Sequence, residues 1–352
     1  MDTLAPKIYE ISRKITETEN KRKKLAELVR NYKSNLNIAF PINHITLDNT
    51  KIAGIDGGVA KKCLHGFDIV LVRGVGVCFW YQNGRLFYVE YHPSKNTSPS
   101  LFVLDGLSEL EWTCTPSIIR QTMEIKTAIE TAEKFKPDVL LLDGSIIPHY
   151  TDKPEKNSKV YMSYEEMLEL YKNLFAICTE NGIMLAGVVE DSRGTRFCKI
   201  IEGKIRNIDE FDDNMKKILD NTKDTNILFW VLDKGERTHV FPYTENPDEH
   251  PIIRDIPAFK DKILSFYMKT AKFDRPLRVD FLGGTNIIGK LSSIIYAISS
   301  YHSAYGLPNV LIEADQAAKL SDNDIELIYS QIIRHTGALP GILKLRRELR
   351  PF

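Results

Sequence analysis

Lys51-Ile52-Ala53-Gly54-Ile55-Asp56-Gly57-Gly58-Val59-Ala60 is the stretch whose reading decides the fold. Ile52, Ala53 and Ile55 form a short apolar run, which predicts a buried strand over residues 51–55 with Asp56 at its tip. An ionised group at the end of a core strand is costly to bury without a partner. Gly57 and Gly58 remove two side chains, so a phosphate-bearing ligand is expected to come close to the backbone there. The arrangement recurs downstream, where Asp-Val-Leu-Leu-Leu over residues 138–142 delivers Asp143-Gly144-Ser145. Two strands that each carry an acid to their tip point to hard metal cations, which prefer carboxylate oxygens. Asp-Gly is also a common turn dipeptide, and Asp105-Gly106 after the apolar residues 101–104 is such a case. The signal lies in the pair.

Working outward, residues 7–35 carry Ile8, Ile11, Ile15, Leu25 and Val29 at a partly kept three-and-four spacing, an amphipathic helix or pair of helices. The polar middle, residues 17–24, leaves two readings open, projection toward another subunit or docking on its own domain. Residues 67–81 and 85–91 read as strands joined by the hairpin signal Asn83-Gly84. Residues 93–115 read as irregular, and Thr115-Pro116 as the opening of a helix that Lys136-Pro137 stops. Residues 148–160 form a loop beside the second acid, and a helix over 164–180 ends at Asn181-Gly182. The apolar run 183–189 is a further buried strand, ending in Glu190-Asp191-Ser192-Arg193-Gly194. Beyond it come a polar inserted helix within 199–225, a second hairpin from 227–232 to 238–241 across Lys234-Gly235, and a strand over 277–282. A helix over 287–305, a break at Leu307-Pro308, and a strand-like run 310–312 opening a helical region to 335 complete the chain.

Three strands, then helix, strand, helix, strand, is the running order of an α/β ribonuclease-H-like fold, a mixed sheet with flanking helices, here with an N-terminal helical segment. The expected units are a helical segment over 1–40, a main domain over 41–335 with an insertion at about 199–260, and a basic tail over 336–352. Its length suffices for a large core. The chain is 43% hydrophobic and 27% charged, without a segment apolar enough to span a bilayer or a secretion-signal layout at its start. Cys63, Cys78, Cys114, Cys178 and Cys198 are scattered and never spaced as a zinc pair, which predicts reduced thiols and a cytoplasmic location. Basic and acidic residues balance at 47 each, so bulk charge gives no support to a nucleic-acid partner. Local basic clusters exist at residues 21–24, at Lys61-Lys62, and in the tail at Lys344, Arg346, Arg347 and Arg350.

In such a fold the tips of the strands carrying Asp56 and Asp143 lie side by side. Two carboxylates that close repel and call for a cation between them. Two divalent ions roughly 4 Å apart activate a water and stabilise the leaving oxygen in phosphodiester cleavage. A third acid is expected from the intervening helix, where Glu124 and Glu130 are the candidates. Glu124 shares a face with Arg120 by its four-residue spacing, and an exposed Arg120–Glu124 ion pair is the plain structural alternative. A fourth is expected from Glu313-Ala314-Asp315, with Asp315 read either as a ligand or as the cap of the helix it opens.

Ala53-Gly-Ile-Asp56-Gly-Gly, Arg120-x-x-x-Glu124, Leu141-Leu-Asp143-Gly-Ser145, and Tyr305-Gly-Leu-Pro308 followed by Leu311-Ile-Glu313-Ala-Asp315 resemble the NurA nuclease family over about residues 50–330. The resemblance implies a fold related to the Piwi domain and metal-dependent DNA cleavage, 5′-to-3′ exonuclease with endonuclease action on single strands. It implies manganese or magnesium, two ions, a homodimer, and work with a HerA-type hexameric translocase in the resection of double-strand breaks. By the resemblance Asp56, Glu124 and Asp143 become metal ligands, and Asp315 is expected to join them as a fourth catalytic ligand. Lys61, Lys62, Ser145, Arg193 and Arg196 are the expected DNA contacts of this chain. Two positions depart from the family pattern: Asp315, where many members carry His, and the acidic corner at residues 190–193, where Ser and Lys are expected. Other readings are a non-catalytic adaptor for a translocase and an actin-like ATP phosphotransferase, of which Gly283-Gly284-Thr285 is the local echo.

Overall fold

Extended backbone starts at Thr50 and runs to Cys63, well past the predicted end of the first strand, because its antiparallel pairing with residues 68–81 continues without a break to Cys63–Asp68. The computed structural model describes residues 4–32, 36–337 and 339–346; Arg347 and Arg350 of the basic tail lie outside them. The chain begins with helix α1 (Ala5–Asn31) and strands β1 (Ala39–Pro41), β2 (Thr50–Cys63), β3 (Phe67–Gln82), β4 (Arg85–His92) and β5 (Ser100–Asp105). Next come helix α2 (Glu109–Phe135), strand β6 (Val139–Asp143), helix α3 (Tyr161–Glu180) and strand β7 (Met184–Val189). Helices α4 (Arg196–Ile205), α5 (Asp213–Asp220) and α6 (Asp224–Val231) lead to strands β8 (Glu236–Thr238), β9 (Phe241–Pro242), β10 (Ile263–Lys269) and β11 (Leu277–Leu282). Helices α7 (Ile288–Ser299), α8 (Asn309–Ala318) and α9 (Asp322–Thr336) follow.

One sheet takes in all of these strands, in the order β1-β8-β10-β11-β7-β6-β2-β3-β4, with β5 also on β3 and β9 on β10. β2, β6 and β7 are mutually parallel, which forces the helical crossovers α2 and α3, whereas β2, β3 and β4 are an antiparallel trio. This is the ribonuclease-H-like α/β architecture that the order of elements predicts. Alternation along the central strands divides the core in two. Ile52, Val139 and Leu141 pack with α7 and α8 on one face. Ala53, Ile55, Leu140 and Leu142 pack with α2 and α3 on the other. A third cluster joins α4–α6 to the last turns of α1, where Leu25, Ala26 and Val29 are buried. Ile8, Ile11 and Ile15, in the first half of α1, remain exposed.

Four local expectations fail for identifiable reasons. Helix α2 opens at Glu109, not at Pro116, because Ser108 and Glu111 form a reciprocal capping box that satisfies the first backbone donors. Pro116 then lies inside the helix. Residues 100–105, read as irregular, form β5 on the edge of β3. The apolar run 227–231 is helical in α6, burying Ile227, Leu228 and Val231; a short apolar run does not separate strand from helix by pattern alone. The run 310–312 is likewise helical. Val310, Leu311, Ala314, Ala317 and Ala318 are buried at three-and-four spacing in α8, whose N-cap is Pro308. Asp315 therefore neither follows a strand nor caps a helix; it is exposed late in α8. Among the described residues no helix is long and apolar enough to cross a membrane, and none of the five cysteines is in a disulfide.

Candidate metal centre and its cavity

Register brings the first two acids together. β2 and β6 pair in parallel through Ile55–Leu142, so Asp56 and Asp143 are the next neighbours on strands about 4.8 Å apart. Both alternate onto the face that carries α8, the helix of Asp315. Glu124 approaches from the opposite face, on α2. A Cβ on Gly57 would stand 3.1 Å from both Cβ and Oε2 of Glu124, and one on Gly58 would stand 2.0 Å from the carbonyl oxygen of Ala318. The paired glycines thus admit two helices of the protein itself, one from each side. The space expected for a ligand's phosphate is occupied by α2 and α8, which also removes the basis of the actin-like reading.

Glu124 is 4% exposed and its Oε2 accepts from Nη1 of Arg120 at 2.6 Å. The ion pair read from the four-residue spacing therefore exists, but it is buried rather than solvated. Glu130, the other candidate on α2, is exposed and bonded to His92 at 2.7 Å, away from the acids. Burial pushes the Glu124 carboxyl up to about 8; Arg120 opposes the rise, and Asp56 and Asp143 add to it. Asp143 is pushed up to about 7, by burial first and then by the charges of Asp56, Glu190 and Asp315. Asp56 is also raised by burial, against the pull of the Gly57 backbone donor and Arg120. Each acid is therefore held in a place that resists its ionisation, with one guanidinium to compensate the group.

Glu190 belongs to this field. Its carboxyl is raised by burial, then by Asp191 and Asp315. The sequence carried the signal, since residues 183–189 are a third apolar strand ending in an acid. Among the described residues, no group of three or more His, Cys, Asp or Glu side chains is gathered closely enough to hold a metal ion. The physical reason is the split between faces, with Glu124 turned toward Arg120. In chemical type the donors fit a hard divalent cation, being carboxylate oxygens whose mutual repulsion a cation would relieve.

A cavity of about 770 Å³ opens on the α2 side, lined by Arg120, Glu124, Asp143, Ser145 and Arg193 among others. Asp56 and Asp315 are outside its lining. Tyr243, His250 and Arg278 also line it, and they had no signal in the sequence. Arg278 is bound through Nε and Nη2 to Asp280 at 2.7 and 2.8 Å, and its guanidinium lies 4.9 Å above the Tyr243 ring. The expected DNA contacts divide. Arg193 is exposed where this cavity meets a second one of about 550 Å³ that also includes Lys223, Phe229 and Arg275. Lys61 is exposed, 5.7 Å from the Trp112 ring centre. Lys62 is instead buried and bound to Glu326 at 2.5 Å, because alternation turns it under α9. Arg196 pairs with Glu245 in a neighbouring cleft and does not face the acids.

Comparison with known proteins agrees with this architecture. The crystal structure of the NurA nuclease from Sulfolobus solfataricus aligns over 97% of this chain and 100% of that one, with 17% identity and a TM-score of 0.61. NurA bound to dAMP and manganese aligns over 97% and 99%, with 11% identity and a TM-score of 0.57. A NurA structure with manganese gives 94% and 98%, 10% and 0.54. No curated protein matches the chain by sequence. The NurA domain model matches residues 50–320. With everything from β2 to α8, and every acid of the cluster, inside that span, the chain belongs to the NurA family.

Proposed function

We propose that the chain is a divalent-metal-dependent nuclease that hydrolyses DNA phosphodiesters, with Asp56, Glu124, Asp143 and Asp315 as the metal-holding set. The observation that carries this reading is the set of buried, mutually repelling carboxylates at the ends of the central parallel strands, with Arg120 as their counter-charge. A structural site would have paired these charges. Manganese or magnesium, as two ions, supplies Lewis-acid polarisation of the phosphoryl oxygens and an activated water when bound. The chain's own groups do the rest. Arg120 and Arg193 stand on the cavity wall with guanidinium forks suited to phosphate oxygens, Ser145 lines the same cavity, and Lys61 lies in a separate cleft further along β2. Glu124, bound to Arg120 in this structure, would hold the metal on exchanging that partner, and Arg120 would then be available to the phosphate.

The finer reading follows the family. The chain acts as a 5′-to-3′ exonuclease and single-strand endonuclease in double-strand-break resection, in the cytoplasm, as a homodimer served by a HerA-type translocase. The exposed Ile8, Ile11 and Ile15 of α1 support a surface for another chain. Release of nucleotides from single-stranded DNA in manganese, by wild type and not by Asp56→Ala, tests the proposal; equal release by both refutes it. The adaptor reading draws on the engagement of Glu124 by Arg120. Calorimetric titration separates the two, because a non-catalytic site binds manganese no better in wild type than in Asp56→Ala.

A further inference from the structure

Of the four acids, Glu124 and Asp143 line the large cavity, together with Tyr150, His149, Tyr243 and His250. The two tyrosines are not equivalent. Tyr243 already has the Arg278 guanidinium against its ring, 4.9 Å from the centre, and His250 edge-on at 5.6 Å. Its surfaces are taken, so it serves as a wall. Tyr150 is 60% exposed, and among the described residues its ring contacts only His149, at 4.3 Å and tilted by 36°. An aromatic that leans on one neighbouring ring and is largely exposed on the lining of a polar cavity offers a stacking surface for a flat π-system.

The platform is fixed, and it is fixed to the helix that carries Glu124. His149 caps its own turn, bonding Thr151 through Nδ1 to the hydroxyl at 2.7 Å. Asp152 accepts from Nε2 of Gln121 at 2.8 Å, and the Oε1 of Gln121 accepts from the Tyr171 hydroxyl at 3.0 Å. Gln121 is buried and lies three residues before Glu124 on α2. Movement of the turn relative to the acids would break this chain of bonds, so the distance from the aromatic step to Glu124 is set by the fold. Pre-organisation of that kind lowers the cost of ordering a ligand.

We propose that this cavity receives one unstacked nucleobase of a single strand, with Tyr150 as the stacking surface and His149 as the ring it leans on, while the neighbouring phosphodiester lies at the acids. The inference rests on the nuclease reading and deepens it, since it selects strands whose bases can splay and disfavours paired duplex. Recognition is through the π-face and is tolerant of base identity.

The test uses the full chain, manganese, and a set of single-stranded oligonucleotides in which one abasic residue is moved stepwise past the cleavage position. Wild type shows a rise in KM of about tenfold when the abasic residue reaches the stacked position, with a smaller change elsewhere. Tyr150→Ala raises KM by a similar factor on the intact strand and loses the dependence on abasic position. Tyr150→Phe keeps the ring and restores both. Cleavage by wild type that is indifferent to the abasic position, or a dependence that persists in Tyr150→Ala, overturns the inference and leaves the nuclease reading intact. Absence of cleavage of every strand by wild type refutes the nuclease reading, and this inference with it.

Discussion

Two buried charges share one face of β2, six residues apart, and they are treated in opposite ways. Lys62 is 9% exposed, bound to Glu326 at 2.5 Å and lying over the Tyr329 ring, while Lys344 holds the other oxygen of the same carboxylate at 3.1 Å. Asp56 is 7% exposed, and burial, with a smaller push from Asp315, raises its pKa. The fold therefore completes its ionic contacts where they fasten α9 to the sheet. It leaves them incomplete where the central strands end. Desolvated charges left short of counter-charge cost stability, and their concentration at one end of the sheet marks the part of the molecule shaped for something other than folding.

The strongest way to break the contrast is to remove an acid from the incomplete cluster. Asp143→Asn is expected to lower manganese-dependent cleavage by more than about 100-fold, since even partners behind a metal ligand contribute 10–100-fold. Steady-state release of nucleotides measures it. Retained cleavage would place the reacting centre elsewhere. A completed pair next to the same cavity gives the opposite result. Asp280 is fully buried and holds both Arg278 and the Ser265 hydroxyl. Asp280→Asn leaves a guanidinium without its carboxylate, and urea unfolding is expected to show a loss of about 3 kcal/mol.

Removal of Asp143 should also strengthen the metal-free protein, and the sign depends on pH. Its folded pKa is raised from the usual 3.8 to about 7. The folded state therefore binds the proton more tightly than the unfolded chain. That contribution is fully present below 3.8 and is lost as pH rises through about 7. Asp143→Asn has no such loss, so its advantage over wild type grows from about zero at pH 4 toward an upper bound of about 4 kcal/mol at pH 8. Thermal unfolding in chelator at the two values reads this directly. Added manganese should raise the Tm of wild type by mass action and leave the variant almost unmoved. A variant less stable than wild type at pH 8 would mean that Asp143 is structural.

Much of this was legible in the chain itself. The central strands, the parallel pairing of the two Asp-Gly runs, and Glu124 in place of Glu130 all follow from apolar runs and four-residue spacing, because those patterns report burial on one face. Ser108-x-x-Glu111 is equally legible as a helix start, but Pro116, five residues after Glu111, is a competing signal for the same first turn. The purpose of Gly57 and Gly58 was hidden, since the sequence shows that side chains are missing and not what fills the space. Glycines that admit a helix and glycines that admit a phosphate look alike in one dimension. One part of the cavity lining was hidden for another reason. Tyr243, His250 and Arg278 come from segments that meet Tyr150 only after the sheet has assembled, and no local period encodes that meeting.

The smallest effect sharpens the comparison on β2 itself. Lys61 and Lys62 are adjacent in sequence and alternate to opposite faces, Lys61 outward beside Trp112 and Lys62 inward onto Glu326. Lys62→Met keeps most of the buried stem and removes the charge. Glu326 is half-exposed and still has Lys344, so it can be rehydrated, and the loss is expected to be about 1 kcal/mol with no change in DNA affinity. Lys61→Ala should leave stability within about 0.5 kcal/mol and reduce the slope of log K against log salt for DNA binding by about 1. Fluorescence-anisotropy titrations at several salt concentrations separate the neighbours. Were Lys62→Met to flatten the slope instead, α9 would have to lift from β2 when DNA binds, because only then does that ammonium reach a phosphate.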